Sequence, residues 1–177
     1  MDNNSAEGCC GTSGCCSLKQ ERKQITIDFL YLDLSICERC QGTETNLEAA
    51  INEVSTVLKA AGYDIVMNKI NITSKEMAIK YMFISSPTIR VNGHDIEVEI
   101  KETACKDCGD LCGDSVECRV WIYNGEVFNE PPKELIINAI LKEVYSGYKS
   151  INLQKNGAYK LPQNLENFFD GLENKKA

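Results

Sequence analysis

The chain has 177 residues, of which 43% are hydrophobic, and it carries a net charge of -7 at pH 7 with an isoelectric point near 4.9. This acidity argues against a nucleic-acid partner, because phosphate binding depends on clustered Lys and Arg side chains. Ten cysteines beside a single histidine, His94, make thiolate the dominant soft ligand that the sequence offers.

Residues 1–24 predict a flexible arm, since they are rich in Gly, Ser, Asn and charge. Two vicinal cysteine pairs lie within it, Cys9-Cys10 and Cys15-Cys16, in the segment GCCGTSGCC. Adjacent cysteines close a strained ring when they are oxidised, so these pairs favour capture of a soft ion such as Hg(II), As(III) or Cu(I). The alternative is a disordered extension whose cysteines only await palmitoylation or adventitious oxidation.

The first residues contain neither the basic nor the apolar region of a secretory signal, and no stretch reaches the about 20 apolar residues that span a bilayer. We therefore expect a cytoplasmic protein that has no membrane partner. In a reducing compartment, the cysteines are expected to serve redox chemistry or metal binding rather than a static disulfide framework.

A buried strand and a Cys-x-x-Cys pair open the predicted domain. Residues 25–34 form a nearly unbroken apolar run, which predicts a strand buried on both faces. Cys37 and Cys40 follow in the sequence SICERCQG, and apolar residues at helical spacing then predict a helix over 43–61. A helix N-terminus stabilises a thiolate, so a thiol at this position is poised to react.

Two Asn-Gly hairpin turns organise the second half of the predicted domain. A Pro-Pro pair opens its last helix. The elements predicted after the first helix are, in chain order, a strand over 63–72, a helix over 73–82, strands over 89–91 and 94–100, a Cys-rich insert over 101–118, strands over 119–123 and 126–128, and a helix over 133–145.

The tail, residues 149–177, is polar except for four residues that fit one face of a short helix beginning near Pro162. These four residues are Leu165, Phe168, Phe169 and Leu172. We interpret this helix as docked on the domain, and the alternative is a helix that binds a partner.

The order of strand, Cys-x-x-Cys helix, strand, helix, Pro-initiated strand, hairpin and closing helix resembles the thioredoxin superfamily. The match covers residues 25–148, with Ser86-Pro87-Thr88 before the third core strand. The chain is also similar to an uncharacterised microbial thioredoxin-like family that carries extra cysteines. Its departures from the usual pattern are Glu38-Arg39 in place of Gly-Pro and the Cys-rich segment near the terminal hairpin.

The resemblance implies an α/β fold with a thioredoxin-like mixed sheet flanked by helices. It also implies that Cys37 is the nucleophilic thiol, that Cys40 is the resolving thiol, and that Pro87 is a cis-proline beside them. The implied partner is an external thiol reductant or a disulfide-bearing protein, since no Gly-rich nucleotide loop supplies electrons internally.

The spacing of Cys37 and Cys40 suits a disulfide, because residues three apart lie on neighbouring turns of a helix. We expect Cys37, at the cap, to be the more exposed and more acidic thiol, and Cys40 to resolve the mixed disulfide. The charges of Glu38 and Arg39 act on the thiolate in opposite directions. The alternative interpretation of the pair is half of a metal site.

The insert offers four further thiols in the pattern C-x2-C-x3-C-x5-C. They predict a structural zinc site or, less favoured, an iron–sulfur cluster. Two local disulfides or a set of free thiols remain as alternatives. The residues concerned are Cys105, Cys108, Cys112 and Cys118.

Two classes of function follow from these patterns. The first is a thiol–disulfide oxidoreductase that needs no redox cofactor. The second is a binding or transfer protein for a soft metal or metalloid, such as Zn, As, Hg or Cu, in which Cys37 and Cys40 join the chelating set. The fold and Pro87 favour the first class, and the eight other cysteines favour the second.

Overall fold

The computed structural model describes residues 22–176, except for residues 98, 114 and 146–158. Seven strands and five helices occur in this part of the chain. They are, in chain order, β1 (Lys23–Tyr31), α1 (Glu38–Ala60), β2 (Tyr63–Asn71), α2 (Lys75–Lys80), β3 (Thr88–Val91), β4 (His94–Asp95), β5 (Lys101–Ala104), α3 (Lys106–Cys112), β6 (Glu117–Tyr123), β7 (Glu126–Phe128), α4 (Lys133–Tyr145) and α5 (Gln163–Lys176).

The strands form a mixed sheet of four and an antiparallel sheet of three. In the larger sheet the order is β2-β1-β3-β4, with β1 parallel to β2 and antiparallel to β3. The smaller sheet has the order β5-β6-β7. The prediction of an α/β fold, with a mixed sheet flanked by helices and a Cys-rich insert near the terminal hairpin, is confirmed.

The two faces of β1 belong to different hydrophobic cores, because successive residues of a strand point to opposite sides. Ile25, Ile27 and Phe29 share a core with the apolar faces of α1 and α4. Leu30 and Leu32 lie in the other core, together with buried cysteines and aromatic residues of α5. Leu32 follows the end of the strand, and Thr26 and Asp28 are only half-buried, so the prediction of burial on both faces is confirmed only for the C-terminal end of β1.

Both Asn-Gly turns have the backbone that a two-residue hairpin of type I′ requires, with positive φ at each central residue. The φ angles are 50° and 83° at Asn92 and Gly93, and 53° and 83° at Asn124 and Gly125. The first turn joins β3 to β4 and the second joins β6 to β7. These hairpins confirm the antiparallel arrangement that the sequence predicts.

The strand predicted over 94–100 is wrong in its length, since only His94–Asp95 pairs with β3. The N–H of Ile96 still donates to the carbonyl of Ile89 at 3.1 Å, and side-chain carboxylates make the contacts on either side of it. Glu97 Oε1 accepts the N–H of Ile122 at 2.9 Å, and both oxygens of Asp95 accept from Arg119. These side-chain bonds connect the two sheets where a continuous ladder was expected.

The boundaries of two predicted helices also differ from those observed. The helix predicted over 43–61 begins five residues earlier, at Glu38, so that Cys40 lies in its first turn. The helix predicted over 73–82 is limited to Lys75–Lys80, and its N-cap is Ser74, whose side chain accepts from the N–H of Met77.

The helix predicted in the tail is present as α5 and is docked on the domain, as favoured. Leu165, Phe168 and Phe169 are each at most 3% exposed, and Leu172 is partly buried against the same core. Within the described residues, no helix combines the length and the apolarity needed to cross a bilayer.

Candidate metal centre

Four cysteine thiols meet in the core that also contains α5. The Sγ atoms of Cys37, Cys105, Cys108 and Cys118 all lie within 4.8 Å of one another, and we call these four residues the thiol cluster. Every member is buried, and the most exposed, Cys105, is 5% exposed. Sulfurs around a tetrahedral zinc ion lie about 3.8 Å apart when the Zn–S bonds are about 2.3 Å, so the thiol cluster has the dimensions to hold such an ion.

Two members of the thiol cluster occupy the same position in two different helices. Cys37 is the N-cap of α1 and Cys105 is the N-cap of α3, each with extended backbone and without a side-chain capping hydrogen bond. Each thiol is therefore available to the cluster instead of capping a helix. Cys108 lies one turn after Cys105, and Cys118 is supplied by β6.

Hydrogen bonds connect the start of α1 with the segment around the start of α3. They are made by residues that lie between the two cysteines of each Cys-x-x-Cys motif. The guanidinium of Arg39, in α1, donates to the carbonyls of Thr103, Ala104 and Cys118 at 3.3, 3.0 and 3.2 Å. In return Asp107, in α3, accepts the N–H of Glu38 at 2.9 Å. These reciprocal bonds fix the start of α1 against the segment that supplies the other three thiols.

Hydrogen bonds among the thiols shift their pKa values in different directions. The pKa of Cys37 is lowered far below the usual thiol range, chiefly because Cys105 donates to it, with further S–H bonds from Cys108, Cys118 and Cys40. Bonds from Cys108 and Cys118 lower the pKa of Cys105 to about 7. The pKa values of Cys108 and Cys118 are raised, first by donation to Cys105. Of the four thiols, Cys37 therefore has the most strongly lowered pKa.

Cys40 lies beside the thiol cluster without belonging to it. Its Sγ is 3.5 Å from Ser86 Oγ, which also accepts the N–H of Leu32. Donation to Cys37 and burial raise the pKa of Cys40. The Ser86–Pro87 peptide bond is cis, as predicted.

The prediction that Cys37 is more exposed than Cys40 is wrong, since both side chains are 0% exposed. Cys37 was expected to be exposed because it lies at a helix cap, but the insert and α5 enclose it in the core. The predicted order of acidity, with Cys37 the more acidic thiol, holds.

Cys112 lies outside the thiol cluster, which corrects the ligand set predicted from the insert: Cys105, Cys108, Cys112 and Cys118. Within the insert, Lys106–Cys112 forms the helix α3. Since a helix rises about 1.5 Å per residue, Cys112 lies about 6 Å beyond Cys108 along the axis, too far to share a tetrahedral ion with the N-cap. The buried Sγ of Cys112 is 3.8 Å from the carbonyl oxygen of Gly109, and Cys37 takes the fourth place in the cluster.

A buried arginine fixes the strand that carries Cys118. The side chain of Arg119 is 0% exposed, bonds both oxygens of Asp95 at 2.8 and 2.7 Å, and lies over the ring of Trp121. Its backbone N–H donates to the carbonyl of Ser86 at 2.8 Å. The strand is therefore held beside the residues that contact Cys40. Burial raises the pKa of Glu97, whose carboxylate lies 3.8 Å from Arg119.

The helix α5 closes the other side of the thiol cluster. The side-chain amide of Asn164 accepts the N–H of Glu117 at 2.9 Å and donates to the carbonyl of the same residue at 2.7 Å. It also donates to the carboxylate of Glu102 at 3.2 Å. One side chain thus attaches α5 to β6 immediately before Cys118, while Phe168 and Phe169 share the core of the thiols.

The structure brings together some of the predicted functional residues and leaves others apart. Cys37 joins three of the four cysteines of the insert, whereas Cys40 and Cys112 stay outside. The sequence predicted Cys37 as a metal ligand only in the alternative interpretation, where it joined the chelating set together with Cys40. The signal for it is the pattern C-x-x-C, which occurs both at Cys37 and at Cys105. The cysteines of the arm, Cys9, Cys10, Cys15 and Cys16, lie outside the described residues.

Comparison with known proteins places the chain among relatives that have no assigned reaction. Residues 25–140, more than half of the chain, match the family described as "Domain of unknown function (DUF2703)". The chain belongs to this family. The matched range contains all four residues of the thiol cluster.

A relative in Archaeoglobus fulgidus, described as an uncharacterized protein, is 29% identical over 102 residues, which cover 54% of this chain and 70% of the archaeal protein. No solved structure matches the chain. The expected similarity to an uncharacterised family is confirmed, and neither match assigns the chain to the thioredoxin superfamily.

Proposed function

We propose that the protein binds a soft metal ion, with zinc as the reference ion, through the four thiolates of the thiol cluster. The observation that carries this proposal is the convergence of four buried Sγ atoms within 4.8 Å. Thiolates select soft or borderline ions over Mg²⁺ and Ca²⁺, and four protein ligands make a closed site of the structural kind rather than an open catalytic one.

The geometry favours a single ion over a multi-iron cluster. In an iron–sulfur cluster, iron and sulfide atoms separate the ligating cysteines, whereas here the Cys108 and Cys118 sulfurs are only 3.4 Å apart. A four-thiolate site around a divalent ion retains negative charge. The N-terminal end of α1, where Cys37 is the N-cap, supplies a favourable positive potential for it.

Other soft ions follow from the same ligand chemistry. As(III), Hg(II) and Cu(I) all prefer thiolate, and the proposal extends to a protein that binds or transfers one of them. The vicinal cysteines of the arm, Cys9-Cys10 and Cys15-Cys16, are proposed as a first capture site for such an ion. Thiols bind a metal ion only when they are reduced, so we propose the cytoplasm as the location of the protein. We propose no nucleic-acid or membrane partner.

The test compares two serine variants of buried cysteines in the full chain. Protein purified anaerobically should carry about one zinc ion per chain, or take it up in a titration against a chelator of known affinity. Cys118→Ser should lose this binding, whereas Cys112→Ser should keep it, because only Cys118 belongs to the thiol cluster.

Circular dichroism of both variants controls for folding. Loss of zinc in Cys112→Ser with retention in Cys118→Ser would restore the ligand set predicted from the sequence alone. Absence of zinc binding by the reduced wild-type protein would overturn the proposal.

A second candidate function is thiol–disulfide exchange, with Cys37 as nucleophile and Cys40 as resolving thiol. It is favoured by the opposite pKa shifts of these two thiols at the start of one helix. The resemblance to the thioredoxin superfamily, in which Pro87 would lie beside the disulfide, supports it. The partner would be an external thiol reductant or a disulfide-bearing protein.

Both thiols are completely buried and cannot meet a protein substrate directly, so we rank thiol–disulfide exchange below metal binding. A disulfide-reduction assay on metal-free protein tests it. Wild-type protein should reduce a small disulfide catalytically in the presence of an external dithiol, and Cys37→Ser should not. Equal turnover in the two proteins would exclude Cys37 as the nucleophile.

A further inference from the structure

We infer that Cys37 exchanges between two partners, the metal ion and Cys40, so that oxidation of the Cys37–Cys40 pair by an external disulfide expels the ion. The inference rests on the metal site proposed above and assigns it an activity, metal release driven by oxidation. The position of Cys37 carries the argument, since this residue alone belongs both to the thiol cluster and to the Cys-x-x-Cys pair of α1.

The contacts of Cys37 provide both partners at once. Its Sγ lies with the three other sulfurs of the thiol cluster, and Cys40 follows three residues later in the first turn of the same helix. A pair three residues apart at the start of a helix closes a disulfide without displacement of the helix. Cys40 itself contacts Ser86 and holds no place in the metal site, so its thiol stays available when the ion is bound.

The reaction balances as an ordinary thiol–disulfide exchange with a small disulfide, RSSR, as the oxidant. The Cys37 thiolate attacks one sulfur of RSSR, forms a mixed disulfide and releases RS⁻. Cys40 loses its proton and attacks the Cys37 sulfur, which releases the second thiol. The two protein sulfurs are oxidised, both sulfurs of RSSR are reduced, and the products are Cys37–S–S–Cys40, RS⁻ and RSH.

Loss of Cys37 leaves the ion with three thiolates, from Cys105, Cys108 and Cys118. A zinc ion in a closed site requires four ligands, so the remaining site binds more weakly and releases the ion. Reduction of the disulfide returns Cys37 to the cluster. The release is therefore reversible, unlike oxidation of a thiol to its sulfinic or sulfonic acid.

Access to Cys37 requires the first turn of α1 to open, because the Sγ is buried. Next to it in sequence, Ile36 is 41% exposed and Glu38 is exposed, so the surface is one residue away on either side. The bond from the Glu38 N–H to Asp107 holds this turn closed. Its removal in Asp107→Ala should accelerate release of the ion, and Asp107→Asn, which keeps an acceptor oxygen, serves as the matched control.

The experiment loads the full chain with zinc and measures its content before any oxidant is added. Oxidised glutathione is then supplied, a chromogenic indicator records released zinc, and peptide mapping locates the disulfide. Wild-type protein should release its zinc with formation of the Cys37–Cys40 bond and should rebind it after reduction with a dithiol. Cys40→Ser should load zinc normally and release it more than about ten-fold more slowly, since the resolving thiol is missing.

Several variants keep the outcome decisive. Cys40→Ala replaces Cys40→Ser if the serine variant does not fold, and Cys112→Ser should behave as wild type. A chain in which Cys9, Cys10, Cys15 and Cys16 are serines should still form the Cys37–Cys40 bond. Release from Cys40→Ser at the wild-type rate, or a mapped disulfide that excludes Cys40, would overturn the inference. Absence of zinc before the oxidant is added would instead show failure of the proposed metal site.

Discussion

The two Cys-x-x-Cys helix starts, at Cys37 of α1 and Cys105 of α3, are nearly identical locally and differ in what they contribute. In each, the first cysteine is the N-cap and its carbonyl accepts the N–H four residues later, at 3.1 Å in α1 and 3.0 Å in α3. Both cysteines of the α3 motif belong to the thiol cluster, but only the first cysteine of the α1 motif does.

The difference arises from what each helix packs against. The 23-residue α1 packs against β2 of the large sheet, and in its first turn Cys40 lies against Ser86. The seven-residue α3 lies against α5 and β6, so Cys108 faces Cys118. The spacing of a motif therefore fixes the geometry of two thiols relative to their helix, and the surrounding elements decide which chemistry each thiol joins.

Removal of the metal is expected to have the largest effect and to separate the two helix starts. Free zinc at 1,000 times its dissociation constant stabilises the folded state by about 4 kcal/mol, and a chelator abolishes this contribution. Hydrogen exchange should accelerate in α3 more than in the centre of α1, because α1 has its own apolar core. Equal acceleration in both helices would contradict this distinction.

Substitution of the second cysteine in each motif tests the comparison directly. Cys108→Ser removes a ligand and should weaken zinc binding by more than about 100-fold, beyond the loss that outer-sphere changes usually cause. Cys40→Ser should leave zinc affinity within a few-fold of wild type, since this thiol contacts Ser86 rather than the ion. Competitive titration with a zinc chelator measures both values, and a similar loss in the two variants would show that Cys40 is a ligand.

The reciprocal bonds between the motifs should have a smaller effect on stability. Arg39→Ala removes the charged donor shared by three carbonyls and is expected to lower the free energy of unfolding by about 2 kcal/mol. The matched control is Arg22→Ala, whose exposed ion pair with Asp64 should contribute less than about 0.5 kcal/mol. Urea unfolding of both variants provides the measurement, and equal losses would remove the special role of Arg39.

In the metal-free protein, Cys37 and Cys40 are expected to differ in pKa. Because the pKa of Cys37 is lowered and that of Cys40 is raised, Cys37 should be a thiolate at neutral pH while Cys40 stays protonated. The ultraviolet absorbance of thiolate should fall in Cys37→Ser and persist in Cys40→Ser. A further step should appear as pH rises through about 7, where Cys105 ionises. Thiolate absorbance that disappears only in Cys40→Ser would reverse the assignment.

Local patterns were sufficient to predict much of the fold. The apolar run of β1, the Asn-Gly turns and the apolar stripe of α5 each depend on neighbouring residues, and the structure contains all three. The extent of the strand after Asn92-Gly93 was missed because its end depends on residues distant in sequence. Pairing with β3 stops at Asp95, whose carboxylate accepts from Arg119, and the Glu97 carboxylate accepts the N–H of Ile122.

The candidate site was only partly predictable for the same reason. Three of its four cysteines are close in sequence and were grouped correctly. The fourth, Cys37, is supplied by the start of α1, 68 positions before Cys105. The sequence predicted no helix within the insert, so its spacing alone grouped Cys112 with the other three cysteines. Its helical conformation carries Cys112 one turn away, and a long-range contact between two helix starts supplies the replacement.

Asn164 attaches a helix that is synthesised after every residue of the thiol cluster. All four sulfurs precede α5 along the chain, and the bonds from Asn164 to Glu117 span 47 positions. During synthesis, which proceeds from the N-terminus, every ligand is therefore made before the helix that encloses the ligands. At that stage the four sulfurs of the proposed site are complete and uncovered, so an ion can bind before α5 packs over them. Synthesis of α5 therefore separates an early stage, in which the sulfurs of the proposed site are uncovered, from a later stage, in which they are enclosed.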